Sequence, residues 1–288
     1  WQHGTGPTGL THAYGLDVAE EDGWHWGLTA ERGDLSDPKA GDFRRTALSG
    51  SMGITRKSLN WSSALEFRDE SGAATRQTWL TRNSFGTSLS PDWRLITKLA
   101  YSWSRSGGGA YYGGEFTEAV AGFAYRPLTN DRLNALFKYT YFRDLASPGQ
   151  LTVTSATPDY KQRSHVLSAD ATYDVTPPLS VGGKYAFRLA QVQVGRTGAS
   201  PWLSSDAHLG ILRVDWHVVK HWDLVTEGRH LRIVQAQDSR TGALLGVYRH
   251  LGKNFKLGLG YNFTDFSDEL TDLSYTAHGW FLNILAKF

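Results

Sequence analysis

Charged residues recur at alternate positions along this 288-residue chain, and some stand two apart with opposite signs: Glu66 with Arg68, Arg213 with Asp215, Glu227 with Arg229. The cations that share this pattern are Arg68, Arg82, Lys98, Lys138, Lys184, Arg188, Arg213, Arg229 and Lys256. The anions are Asp17, Glu31, Glu66, Glu118, Asp170, Asp215 and Glu227. Such a set supports two kinds of chemistry. Opposite charges that meet neutralise one another and tie neighbouring strands together. Charges that ring a water-filled lumen select among ions, and a basic excess favours anions. The two readings are compatible, and both stay open.

Other constellations suggest sharper chemistry but carry it less far. Asp206 with His208, and Ser164 with His165, pair a carboxylate or hydroxyl with an imidazole, as hydrolases do. A general base needs a partner within hydrogen-bond reach, so both pairs read as polar residues at a rim, and the chain is not expected to be an enzyme. His217 and His221 stand four apart, a metal spacing only on a helix, which argues against zinc there. Asp265, Asp268, Glu269 and Asp272 crowd one short segment. Carboxylates suit a hard cation, but the spacing is not that of an EF-hand. This segment reads as a solvated acidic loop, with a loosely held divalent cation, shared with lipopolysaccharide phosphates, as the alternative. There is no Cys, which excludes disulfides and thiolate-bound zinc. The net charge of +2 gives no basic surface for nucleic acid. No cofactor is expected.

The elements that must position these charges are strands. Leu133, Ala135, Phe137, Tyr139 and Tyr141 share one face, while Asn134, Lys138 and Thr140 share the other. Phe255, Leu257, Leu259, Tyr261 and Phe263 likewise oppose Lys256, Asn262 and Thr264. Side chains alternate across a strand, so each segment has one apolar and one polar face. Hydrophobic content is 40% and mean hydropathy −0.38, with no run of eighteen apolar residues, which excludes helical membrane spans. A barrel hides its apolar residues at alternate positions instead. The 11 Trp, 13 Tyr and 13 Phe fit aromatic girdles at two membrane interfaces.

Fifteen such segments can be counted, from Thr11–Ala19 to Thr276–Phe288. Tight turns such as Glu21–Gly23, Ser90–Asp92 and Thr176–Pro178 alternate strictly with longer polar connections such as Gly33–Asp42, Ser104–Gly114, Asp144–Gln162 and Gln191–Ser204. Residues 1–10 read as a loop. The expected fold is all-β: a transmembrane, antiparallel, up-and-down barrel forming one domain over residues 1–288, with about 16 strands, or 14. An odd count in a class that normally uses even numbers leaves three expectations: a strand outside this chain, a chain that is the C-terminal part of a longer one, or a segment merged or split in the count.

The last strand carries the family signal. Trp280, Leu282, Ile284 and Phe288 form one apolar face that stops on a terminal aromatic. This ending resembles the closing strand of Gram-negative outer-membrane β-barrels, in which the terminal aromatic is read by the barrel-assembly machinery. Residues 258–272, followed by Gly279-Trp-Phe-Leu-Asn283, are similar to the C-terminal barrels of large repeat-containing bacterial surface proteins. That similarity covers about the last forty residues. The resemblance implies residence in the outer membrane of a Gram-negative bacterium. It implies contact with outer-membrane lipid and lipopolysaccharide, recognition by the assembly machinery, and a possible homo-oligomer. The leading expectation is a porin-like passive diffusion channel for small hydrophilic solutes or ions. The alternatives are an anchor or export barrel for a large surface protein, and an outer-membrane hydrolase.

Overall fold

The computed structural model describes residues 8–37, 41–72, 75–106, 114–145, 160–195, 200–219, 221–252, 254–263, 270 and 279–286. The described strands form one all-β, antiparallel, up-and-down sheet. Its strands are β1 (Thr8–Ala19), β2 (Trp24–Asp37), β3 (Gly41–Thr55), β4 (Leu59–Gly72), β5 (Arg76–Ser88) and β6 (Trp93–Ser106). Then come β7 (Gly114–Tyr125), β8 (Leu133–Leu145), β9 (Tyr160–Thr176), β10 (Leu179–Val194) and the short β11 (Trp202–Ser204). The set ends with β12 (Ala207–Val219), β13 (Trp222–Ile233), β14 (Asp238–Leu251), β15 (Phe255–Asn262) and β16 (Gly279–Ala286). Each long strand pairs with the next in sequence, and β11 pairs with the upper part of β10. Leaving β11 aside, fifteen strands follow one another, so β1 and β16 run in the same direction.

Register assigns every side chain to one of two faces. On the outer face Trp280, Leu282 and Ile284 of β16 align with Tyr261, Leu259 and Leu257 of β15. Those align in turn with Leu245, Val247 and Arg249 of β14. The same parity runs back to Leu16 and Leu28 on β1 and β2. These aliphatic side chains are exposed, together with Trp280, so the outer face presents a broad apolar surface. Phe288 lies outside the described residues.

The outer face carries two aromatic bands. At the end that holds the β1–β2, β3–β4 and β5–β6 turns, the lower end, stand Trp24, Trp26, Trp61, Phe85, Trp93, Tyr125, Trp216 and Trp222. At the upper end stand Phe67, Trp79, Trp103, Tyr139, Tyr141, Tyr185 and Trp280. Along β6, ten residues separate Trp93 from Trp103. That is about 33 Å of strand, or roughly 25 Å along the membrane normal at a tilt of about 40°, which matches the apolar band of an outer-membrane barrel.

Lower turns are short and laterally tied. Gly23 adopts φ 92, a left-handed conformation that closes the β1–β2 turn against the Thr55 carbonyl. Ser90 Oγ accepts from the Asp92 and Trp93 amides, and Asp92 reaches across to accept from the Leu128 amide at 2.7 Å. The upper connections depart from the strict alternation of lengths expected above. Only residues 38–40 separate β2 from β3, and Val234–Gln237 turns β13 directly into β14. The supposed loop Gly33–Asp42 is largely strand, held by an Arg44–Asp34 ion pair at 2.9 Å. Polar ladders of this kind carry the hairpins beyond the length a bilayer needs, and a polar sequence conceals them. The start of the chain differs too. Residues 8–10 open β1 and are not loop.

Candidate functional site

The face opposite the aromatic bands is polar. Arg68, Arg82, Lys98, Glu118, Lys138, Asp170, Lys184 and Arg188 all fall on it by register. So do Arg213, Asp215, Glu227, Arg229 and Lys256, along with Asp17, Glu31 and Glu66. The alternation thus brings onto one surface charges that are far apart in sequence.

Most of the cations there meet a carboxylate. Arg68 bonds Glu66 at 2.5 Å, Arg213 bonds Asp215 at 2.9 Å, and Arg229 bonds Glu227. Lys98 of β6 reaches Glu118 of β7 at 2.8 Å. Pairing within and between strands neutralises charge locally and leaves a wetted, near-neutral wall. Arg82, Arg94 and Arg188 differ: on this inner face they meet no carboxylate among the described residues.

Two ion clusters were not visible from the sequence. Near the upper end Glu70 of β4 is buried between Arg45 of β3 and Arg76 of β5. Arg45 presents Nε and Nη2 to Oε1 at 3.0 and 2.9 Å, and Arg76 presents the same pair to Oε2 at 2.8 and 2.7 Å. Near the lower end Asp223 of β13 accepts from His217 Nδ1 at 2.5 Å, His250 Nε2 at 2.8 Å and Lys256 Nζ at 2.5 Å. These groups come from four adjacent strands, β12 to β15. Spacing argued against His221 as a partner of His217. Register supplies Asp223 and His250 in its place.

A third feature sits on the upper inner face. Val166, Ala186, Ala207 and Leu209 form an apolar patch, with Leu209 fully buried. Leu270, from the connection between β15 and β16, packs onto it. Arg188 Nη1 donates to the Leu270 carbonyl at 3.0 Å, and Nη2 donates to the Ser205 carbonyl at 3.3 Å. Arg188 is 7% exposed, and its Nε has no hydrogen-bond partner among the described residues. Arg188 is therefore a bracket for a connecting segment, a role that strand alternation alone did not reveal. The segment read as a solvated acidic loop sends at least Leu270 into the sheet's inner face. Asp265, Asp268, Glu269 and Asp272 lie outside the described residues.

The pairs considered for hydrolysis do not assemble. His208 Nδ1 bonds Tyr185 Oη at 2.7 Å on the outer face, while Asp206 is held by Gln235 and the Ala190 amide. Ser164 is buried on the inner face, and His165 bonds Tyr139 Oη at 2.8 Å on the outer one. Adjacent residues of a strand point to opposite faces, so Ser164 and His165 cannot act together.

No protein-family model and no curated protein matches the chain. Solved structures match its fold. The siderophore receptor PirA from Pseudomonas aeruginosa superposes with TM-score 0.57 at 12% identity, over 90% of this chain and 46% of that one. The ferric-catecholate import receptor Fiu from E. coli K12, in its closed form, gives 0.55 at 7% identity, over 97% and 62%. The ferric yersiniabactin uptake receptor FyuA from Yersinia pestis gives 0.52 at 13%, over 96% and 56%. The chain spans about half the length of these receptors. At such identities the likeness is one of fold: this is the wall of an outer-membrane-type β-barrel.

Proposed function

We propose that the chain forms the wall of a channel in the outer membrane of a Gram-negative bacterium, through which small hydrophilic solutes or ions diffuse passively. One observation carries the reading. A single register separates an apolar face with two aromatic bands from a face of wetted, self-paired charges, which is the division between lipid and water. In this reading Arg68, Arg82, Lys98, Glu118, Lys138, Asp170, Lys184, Arg213, Asp215, Glu227, Arg229 and Lys256 line the pore, while Arg188, expected among them, is covered by Leu270. Selectivity is mild because so many of these charges are paired, and Arg82 and Arg94 tilt it toward anions. Outer-membrane lipid and lipopolysaccharide cover the outer face, as do further copies of the chain if the barrel is an oligomer. The assembly machinery reads the last strand through Trp280, Leu282, Ile284 and Phe288.

A second reading has its own support. Leu270 and Arg188 fill part of the upper inner face, so the barrel conducts little and serves as the anchor or export barrel of a larger surface protein. The similarity of the last forty residues to such barrels favours the same view. Single-channel conductance of the purified full-length protein in a planar bilayer, under a salt gradient, separates the two. Stable steps with a modest anion preference support the channel. A silent barrel that still shows heat-modifiable mobility on gels supports the anchor.

A further inference from the structure

The cluster around Asp223 exceeds what charge neutralisation requires. Along the inner face, most carboxylates meet one cationic side chain. Asp223 collects two imidazoles and an ammonium. His217 lies directly opposite it on β12, and His250 lies two residues beyond its partner on β14. The ligand atoms of His217, Asp223 and His250 all lie within 4.8 Å of one another. We propose that these three residues form a binding site for a first-row divalent transition metal such as Zn²⁺ or Cu²⁺, at the lower mouth of the barrel's inner face.

The donor set fits that class. Two imidazole nitrogens and one carboxylate oxygen suit zinc and copper, whereas calcium and magnesium take oxygen ligands alone. Three strands of one hydrogen-bonded sheet hold the donors, so a small movement of side chains is enough to close the site. Both histidines are half-exposed on the inner face, which leaves coordination positions open to water or solute. The resident cation is Lys256, whose Nζ sits on the carboxylate oxygen that faces His250. It has somewhere else to go: the same Nζ lies 4.9 Å from the centre of the Tyr248 ring, where a displaced ammonium keeps a cation–π contact. Metal binding exchanges one cation for another at Asp223. To ligate, each imidazole must turn an unprotonated nitrogen toward the metal in place of the N–H that now meets the carboxylate.

The test is titration of the full-length barrel in detergent with Zn²⁺ by calorimetry, and with Cu²⁺ by electron paramagnetic resonance. The expected result is one saturable site per chain, with nitrogen hyperfine structure in the copper spectrum. H217A and H250A should each weaken binding about tenfold or more. K256M, which removes the competing cation and keeps the bulk, should tighten it. R82A, elsewhere on the same face, is the control. Heat-modifiable mobility shows which variants fold, and K256M decides the matter should either alanine variant fail to. Absence of a saturable site in the wild type overturns the proposal, as do affinities that survive both histidine substitutions or a K256M variant that binds no more tightly. The titration needs no open pore, so its failure leaves the channel reading standing, and a silent barrel leaves the metal site standing.

Discussion

Glu70→Ala should destabilise the barrel more than any other single charge removal on its inner face. The carboxylate is 3% exposed, and each of its oxygens receives two guanidinium nitrogens at 2.7–3.0 Å. Deleting one partner of a buried ion pair costs about 3–5 kcal/mol, mainly because the remaining charge is left unpaired. Two cations are left in this case, Arg45 and Arg76, which flank Glu70 from opposite sides and would repel each other once it is gone. Their side chains keep 22% and 36% exposure, so water relieves part of the strain. The lower end of the range, about 3 kcal/mol, is therefore expected. Equilibrium unfolding of the protein in lipid vesicles by guanidinium, followed by tryptophan fluorescence, measures it. Glu66→Ala is the comparison. Its carboxylate is 27% exposed and meets one arginine, so its loss should cost about 1 kcal/mol or less. In a cycle of Arg45→Ala and Glu70→Ala, the double variant should be more stable than the sum of the single losses implies. A Glu70→Ala loss below about 1 kcal/mol, or no coupling to Arg45, would mean that β3, β4 and β5 do not meet in this register near their upper ends.

Four further outcomes follow from the same faces. Leu99→Arg puts a cation on the outer face between Trp93 and Trp103 and should cost about 2–4 kcal/mol in the same unfolding assay, whereas the neighbouring Lys98→Arg, on the inner face, should be nearly neutral. Gly260→Ala should cost about 1–3 kcal/mol, because its new methyl group would run into the Phe281 ring and the Leu245 carbonyl at 2.7 Å. Arg82→Glu should move the reversal potential under a salt gradient toward cation preference; an unchanged potential would remove Arg82 from the conduction path. Arg188→Ala leaves the Leu270 carbonyl without its donor, and single-channel recordings should show larger or noisier steps than the wild type, with equal conductance counting against any effect of this contact on the lumen.

What the sequence disclosed and what it withheld have one physical cause. A strand's side chains alternate with period two whatever lies next to it, so the faces were legible strand by strand: Leu257 against Lys256, Tyr139 against Lys138. The lower turns were legible because Gly23, Pro177 and Asp92 carry backbone preferences of their own. Register is a property of two strands, and no residue announces it. Glu70 lies past Arg68, where alternation ends the strand in sequence, and its partners Arg45 and Arg76 lie on either side in sequence with nothing to mark them as neighbours of one carboxylate. His217 invited comparison with His221, four residues on, while its real neighbours were Asp223, across a turn, and His250, across a further hairpin. Arg188 looked like one more cation in a row, yet what defines it is a carbonyl from 82 residues downstream. In a barrel wall the scaffold is thus written in local alternation, whereas the sites are written in the offsets between strands. In the proposed membrane setting those offsets are fixed where the two faces differ most, since a slip of one residue would turn each buried or paired charge onto the apolar face. Near the midplane that slip would cost about 2–4 kcal/mol for each misplaced cation, whereas Asp223 and Glu70, toward the two ends, are held by their own ion pairs across three or more strands.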